Sequence, residues 1–314
     1  MSALTIKELT DFTLKSYTNL MRYLSQIYKI VPFCQIPREE VPFLVLRHDI
    51  DVSLLAALKM AEMETDLGIK STYFVLFSSN FYNVLEGKNV EILRQISKLG
   101  HEVGLHYDPS QYRSYNRNPK KTLKIEIQLL EHLLNRGVYS IARHGPWDKD
   151  PFATTKEYIN ANHPSMRRDV FVHDSSRAWT PLQDLFKLLN NPPRRVQLLT
   201  HPENWQEDKL SREALLDRFF QNLHKEMLTL KECEKRAWLT DPLVLEYDAL
   251  VRKKDFMKSS SGRSKSDSTL KSKFRQELDY YDTLFRWYMI NTSLGWQGHQ
   301  ILDKIRSILE YKRK

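Results

Sequence analysis

Between residues 29 and 205 the apolar positions switch repeatedly between two periods. Short runs of strand length appear at FLVLR (43–47), STYFVLF (71–77), HEVGLH (101–106), YSIAR (139–143), DVFVHD (169–174) and RVQLLTH (195–201). Longer stretches of helical period separate them. The stretch 53–68 opens on Ser53 as an N-cap and stops at Gly68, and 89–100 starts at Asn89 and stops at Gly100. The stretch 118–137 opens on Asn118-Pro119, closes at Gly137, and puts Leu123, Ile127, Leu130 and Leu134 on one helical face. In 180–189, Pro181 takes the first helical position after Thr180. Strand and helix alternating at this spacing predict a parallel α/β fold.

The flanks read differently. A helix over 11–29 leads into a short strand, KIVPF, and 211–239 reads as one long helix. Residues 258–273 are rich in Ser and Lys without apolar periodicity, which predicts a flexible linker. A helical region, 274–314, follows it. The expected organisation is therefore a barrel unit over 1–205 with its N-terminal helix, a helical extension packing on it over 206–257, the linker, and a basic C-terminal region.

Charge sharpens this picture in one place. The net charge is +9, and after Leu250 there are 15 Lys and Arg against 7 Asp and Glu, a balance of +8. The basic character belongs to the tail, which reads first as a solvated basic surface, with binding to an anionic membrane surface or polyanion as the alternative and no specific nucleic acid implied. Cys34 and Cys233 are too few for a disulfide framework or a cysteine-rich metal site. No run of 18 apolar residues and no secretory start is present, so a cytoplasmic location is expected.

Chemistry gathers at the C-terminal ends of the strands. RHDID follows the first, HYDPSQY the third, RHGPWD the fourth, HDSSRAW the fifth and HPENW the sixth. In a parallel α/β fold these ends share one face, where active sites form. Asp49 and Asp51, two apart in extended chain, face the same way, an arrangement that needs a cation or a shared proton. His106 ends its strand beside them and reads as a metal ligand, whereas His101 begins the same strand and reads as structural. His173 and Asp174 point apart in a regular strand, and Asp174 is assigned to the site. No phosphate loop, dinucleotide fingerprint, HExxH helix or nucleophile elbow is present. Carboxylate with imidazole suits metal-assisted hydrolysis.

Over residues 29–205 these motifs resemble, in order, those of the polysaccharide deacetylases of carbohydrate esterase family 4. The spelling RHDID…GLHYD resembles more a subgroup of cytoplasmic deacetylase-like proteins of bacterial O-antigen and surface-polysaccharide (lipopolysaccharide) clusters. The resemblance implies a distorted (β/α)7-type barrel. It makes Asp49 the general base, Asp51 and His106 metal ligands, Arg143 the residue that orients the base, and His201 the general acid, with Asp174 holding His201. Where the family has a second histidine four residues after His106, this chain has Ser110. The replacement ligand is expected to be His144, with Asp108 as the alternative and His48 pointing away. Trp147, Trp179, Trp205 and Tyr107 are the candidate sugar-binding residues. The expected ion is divalent, with zinc first, and the expected substrate is an acetylated sugar, free, nucleotide-linked or lipid-linked. Two alternatives stand beside this reading: a carbohydrate-binding relative without hydrolysis, and polyanion or membrane binding through the tail.

Overall fold

The computed structural model describes residues 9–37, 41–115, 118–145, 152, 155–167, 169–222, 224, 225 and 228. The chain falls into two compact units, 1–219 and 220–314, and the fold and site described below belong to the first. The linker 258–273, the basic region 274–314 and Trp147 lie outside the described residues.

Eight parallel strands form one sheet: β1 (Lys29–Val31), β2 (Phe43–Ile50), β3 (Thr72–Leu76), β4 (Glu102–Tyr107), β5 (Ser140–Arg143), β6 (Ile159–Asn160), β7 (Val170–His173) and β8 (Arg195–Thr200). The hydrogen-bonded order is β6-β5-β4-β3-β2-β8-β7. β1 pairs with Phe43–Val45 of β2, and β3 pairs further along the same strand, from Arg47 to Ile50. Among the described residues β6 and β7 do not pair with each other, so the sheet is an opened, curled (β/α)7-type barrel. The helices that alternate with these strands among the described residues are α1 (Leu14–Leu24), α2 (Leu54–Asp66), α3 (Gly87–Lys98), α4 (Pro109–Tyr115), α5 (Pro119–Leu134) and α6 (Leu182–Asn190). No helix among the described residues is long and apolar enough to cross a membrane.

Local chemistry explains most of the element ends. Ser53 Oγ accepts from Ala56 N–H at 3.2 Å and starts α2. Asn118 starts α5 in the same way. Two expected ends shift. α5 stops at Asn135, which adopts the left-handed conformation (φ 52°) that Gly137 was expected to supply. Pro181 stands just before α6 rather than in its first position. The two-residue strand β6 leaves no signal in the sequence, because two residues carry no periodicity.

The barrel interior beneath the strand ends is a small apolar plug that includes Phe33, Val45, Phe74 and Ala142. Gly104 on β4 makes room for it: a Cβ there would come within 2.6 Å of the Phe74 ring and 2.8 Å of the Ser140 carbonyl. Gly104→Ala is therefore expected to cost about 1–3 kcal/mol through overpacking, read as a lower denaturation midpoint at unchanged slope. An unchanged midpoint would mean that the plug is loosely packed.

Candidate active site

β2 is buried along both faces, and its alternation divides its residues by task. Leu44 and Leu46 pack into the outer core, while Val45 enters the plug and Arg47 and Asp49 follow it on the inner face. Arg47 Nε and Nη2 donate to Asp49 Oδ1 and Oδ2 at 2.7 and 2.8 Å. The guanidinium sits over the Phe74 ring, 5.4 Å from its centroid. Burial works against the Asp49 charge, but Arg47 above all, with His106 and His201, holds its carboxyl below the ordinary carboxylate value.

β4 brings His106 alongside. His106 Nδ1 stands 3.0 Å from the Ala142 carbonyl, which only accepts, so Nδ1 carries the hydrogen. In the neutral ring Nε2 is then a bare lone pair, 3.4 Å from Asp51 Oδ1 and 3.5 Å from Asp49 Oδ2. Asp51 Oδ1 is buried without a hydrogen-bond partner. Acceptors facing one another across such a gap fit a cation. His144 completes the group: one ligand atom from each of Asp51, His106 and His144 lies within 4.8 Å of the others. Burial tends to raise the Asp51 pKa, but the surrounding histidines, His106 first, pull it below the usual carboxylate range. Asp108 is not in the converging group. Its Oδ2 lies 3.5 Å from His144 Nδ1, and its Oδ1 accepts from the Ser110 N–H and hydroxyl at 2.9 and 2.6 Å. Ser110, where the resemblance calls for a histidine, is turned to Asp108.

Beyond β8, His201 Nδ1 pairs with Asp174 Oδ1 at 2.7 Å, and His201 Nε2 faces Asp51 Oδ2 at 3.8 Å. Trp205 Nε1 donates to Asp174 Oδ2 at 2.9 Å. Burial disfavours the imidazolium, yet the Asp174 hydrogen bond and the charges of Asp174, Asp51 and Glu203 outweigh it and push His201 up to about 10. Glu203, two residues on, is buried in the same wall, and burial beside the Asp51 charge raises its pKa.

One cavity of about 720 Å³ joins these groups, and Leu215, Leu216 and Phe219 also line it. Asp49, Asp51, His106, Arg143, His144 and His201 all line it. Several assignments change. Arg143 lines the cavity, but the carboxylate of Asp49 is held by Arg47, which shares its strand and face. His173 lines the cavity, while Asp174 is wholly buried behind His201, because the strand ends at His173 and its alternation ends there too. Trp179 and Trp205 are core residues and line no part of this cavity: Trp179 Nε1 donates to the Leu9 carbonyl, and the two rings pack 5.9 Å apart beside Phe12. Tyr107 follows His106 and so falls on the opposite face of β4, buried against Phe152 and Tyr112. Arg47 and Glu203 join the site without having been expected from the sequence. The signal for Arg47 was its spacing of two from Asp49, the same spacing that paired Asp49 with Asp51.

No family model and no curated protein matches the chain. Among solved structures it is similar to a CE4 family pseudoenzyme from Bacillus anthracis, at 15% identity and a TM-score of 0.37, over 60% of this chain and 62% of that one. It is also similar to the peptidoglycan deacetylase PdaC from Bacillus subtilis, at 14% identity and a TM-score of 0.38, over 64% of this chain and 98% of that one. A third is the CE4 domain of a multidomain xylanase from the hindgut metagenome of Trinervitermes trinervoides, at 14% identity and a TM-score of 0.39, over 59% and 84%. The chain thus spans less than two thirds of the length of the first of these.

Proposed function

We propose that the protein is a metal-dependent hydrolase that removes an N-acetyl or related acyl group from a sugar or sugar-containing precursor. The observation that carries this reading is the convergence of Asp51, His106 and His144, with an unpartnered buried oxygen on Asp51, between the Arg47–Asp49 pair and the Asp174–His201 pair. Those three ligands would hold one divalent ion, and their nitrogen and oxygen donors suit zinc. Such an ion supplies Lewis acidity and brings the pKa of water from about 15.7 towards 7.

The chain's own residues do the rest. Asp49, kept ionised by Arg47, accepts a proton from the attacking water. Arg47 grips both carboxylate oxygens, so the acceptor cannot rotate away from the site. His201 gives its proton to the departing amine, with Asp174 fixing its Nδ1–H and therefore aiming Nε2 into the cavity. The buried setting of both pairs strengthens these interactions. A role in bacterial surface-polysaccharide synthesis is supported by the spelling RHDID…GLHYD.

Metal analysis tests the reading first. The purified protein is expected to hold about one divalent ion, Asp51→Ala to lose it, and His144→Ala to weaken it about as much as His106→Ala. Equal metal content in the wild type and Asp51→Ala would remove the site on which the reading stands. Acetate release from N-acetylated sugars by the metal-loaded protein tests the reaction.

A further inference from the structure

The metal group and the two catalytic pairs leave one side of the cavity unexplained. Besides Arg47, whose Nε and Nη2 are taken by Asp49 and whose Nη1 is buried without a partner, three arginines line it: Arg143, Arg177 and Arg212. The acids lining it are Asp49, Asp51 and Glu203, all on the catalytic side. Among the described residues neither Arg177 nor Arg212 has an acidic partner. Arg177 is the more constrained. Its Nη1 is buried with no hydrogen-bond partner, and its guanidinium lies 5.5 Å from the centroid of the Phe12 ring, a contact that positions the cation without neutralising it. A buried guanidinium nitrogen left without an acceptor is unfavourable unless a ligand supplies one.

The backbone holds Arg177 there at some expense. Ser176 and Arg177 both have φ of 58°, a left-handed conformation that non-glycine residues seldom adopt and that gathers at ligand clamps. The Arg177 N–H donates to the Asp174 carbonyl at 2.9 Å, tying this segment to the residue that holds His201. Ser175 and Ser176 line the same wall and bring hydroxyl donors. Since His201 faces the departing amine, the group next to this segment lies on the sugar side of the bond being broken, not on the acyl side.

Resting on the hydrolase reading above, we propose that the substrate is an acetamido sugar bearing a phosphoryl group, and that Arg177, with Ser175, Ser176 and Arg212, binds that group. The planar fork of an arginine matches phosphate oxygens bidentately, and the adjacent hydroxyls add donors. A cavity of about 720 Å³ admits a sugar together with a phosphate or diphosphate.

The test compares three probes: a neutral methyl N-acetylglucosaminide, N-acetylglucosamine 1-phosphate and a nucleoside-diphosphate N-acetylglucosamine. Binding is measured on metal-loaded Asp49→Asn, so that turnover does not intrude, and acetate release is measured on the wild type. Phosphorylated probes are expected to bind about 10- to 100-fold tighter than the neutral one, with a preference that declines as salt rises. Arg177→Gln in that background is expected to bring the ratio close to one, Arg177→Lys to restore part of it, and Arg218→Gln, a surface control, to leave it unchanged. A preference for the 1-phosphate alone or for the diphosphate alone supports the proposal and tells the two sources apart. No preference over the neutral probe, an Arg177→Gln variant that is folded by circular dichroism and keeps the full ratio, or a stronger preference for an acetamido uronate would overturn it. Selective binding without acetate release would sink the hydrolase reading and leave the phosphoryl site standing. Acetate release at equal efficiency from neutral and phosphorylated sugars would do the reverse.

Discussion

Asp49→Asn is expected to reduce acetate release by at least about 10²–10⁴-fold, the usual contribution of a positioned base, while metal content stays at the wild-type level. Asp49 is outside the group of converging ligand atoms, so the amide does not remove a metal donor. The substitution has a second, separable effect. Arg47 is 1% exposed and both of its bonds to Asp49 end on a carboxylate. An amide offers one acceptor oxygen and no charge, so the buried guanidinium loses its counter-charge and the protein is expected to melt earlier. Activity and metal content must therefore be read well below the melting transition, with folding checked by circular dichroism. His201→Gln provides the complementary measurement. It is expected to slow amine release by about 10²–10⁴-fold and likewise to keep the metal. Wild-type turnover by both variants would end the acid–base assignment. Loss of metal in Asp49→Asn would instead make Asp49 a ligand.

Glu64→Ala is expected to lower stability by about 3–5 kcal/mol without touching the cavity. Glu64 is fully buried on α2 and is the hub of a polar network behind β2. Its oxygens meet His48 Nε2 at 2.8 Å, Ser71 Oγ at 2.6 Å and the Tyr73 hydroxyl at 3.0 Å, and the Tyr17 hydroxyl also donates to it. Removing the carboxylate leaves the His48, Tyr73 and Tyr17 donors buried without this acceptor, while Ser71 Oγ keeps His101 Nδ1 at 3.1 Å. Burial pushes the Glu64 pKa up, but His48 and His101 with the hydroxyl donors outweigh it and bring the group from 4.5 down to about 2. The folded value is depressed, so this stabilisation is complete above the unfolded value of 4.5 and is lost as pH falls towards 2. His101, lowered chiefly by burial, acts in the same direction. Wild-type stability is therefore expected to fall between pH 4.5 and 2 by an amount on the order of 3 kcal/mol that Glu64→Ala does not show. Parallel pH–stability curves for the two proteins would mean that the network does not favour the charged carboxylate.

The residues that the sequence revealed and those it hid differ in the kind of contact they make. His101 is readable as structural because it stands at the start of the strand-length run, just before β4, and it is buried against Ser71 and the Ala61 carbonyl. His48 was expected to point away from Asp49, and it pairs with Thr200 and Glu64 behind the sheet. Glu64 gives no such warning: on α2 it is one acid among others, and only the approach of α1, β2 and the start of β3 surrounds it with donors.

What the sequence determined by itself was everything governed by neighbours in the chain. Alternating apolar runs specified parallel α/β order, Ser53 and Asn118 specified helix starts, and the period of two in Arg47, Asp49 and Asp51 put those side chains on one face. Charge at the strand ends marked the face on which the cavity lies. What only the tertiary structure decided depended on which strands and helices became neighbours. It gave Arg47 rather than Arg143 to Asp49. It set His144 beside His106 across the β4–β5 pair, and it buried Trp179, Trp205 and Tyr107 in the core instead of the cavity. It also left Arg177 facing the cavity without an acid. The physical reason is that a strand's period fixes a side chain's direction but not its partner. Partners come from inter-strand register and helix packing, which join residues as far apart as Asp174 and His201, or Arg177 and Phe12.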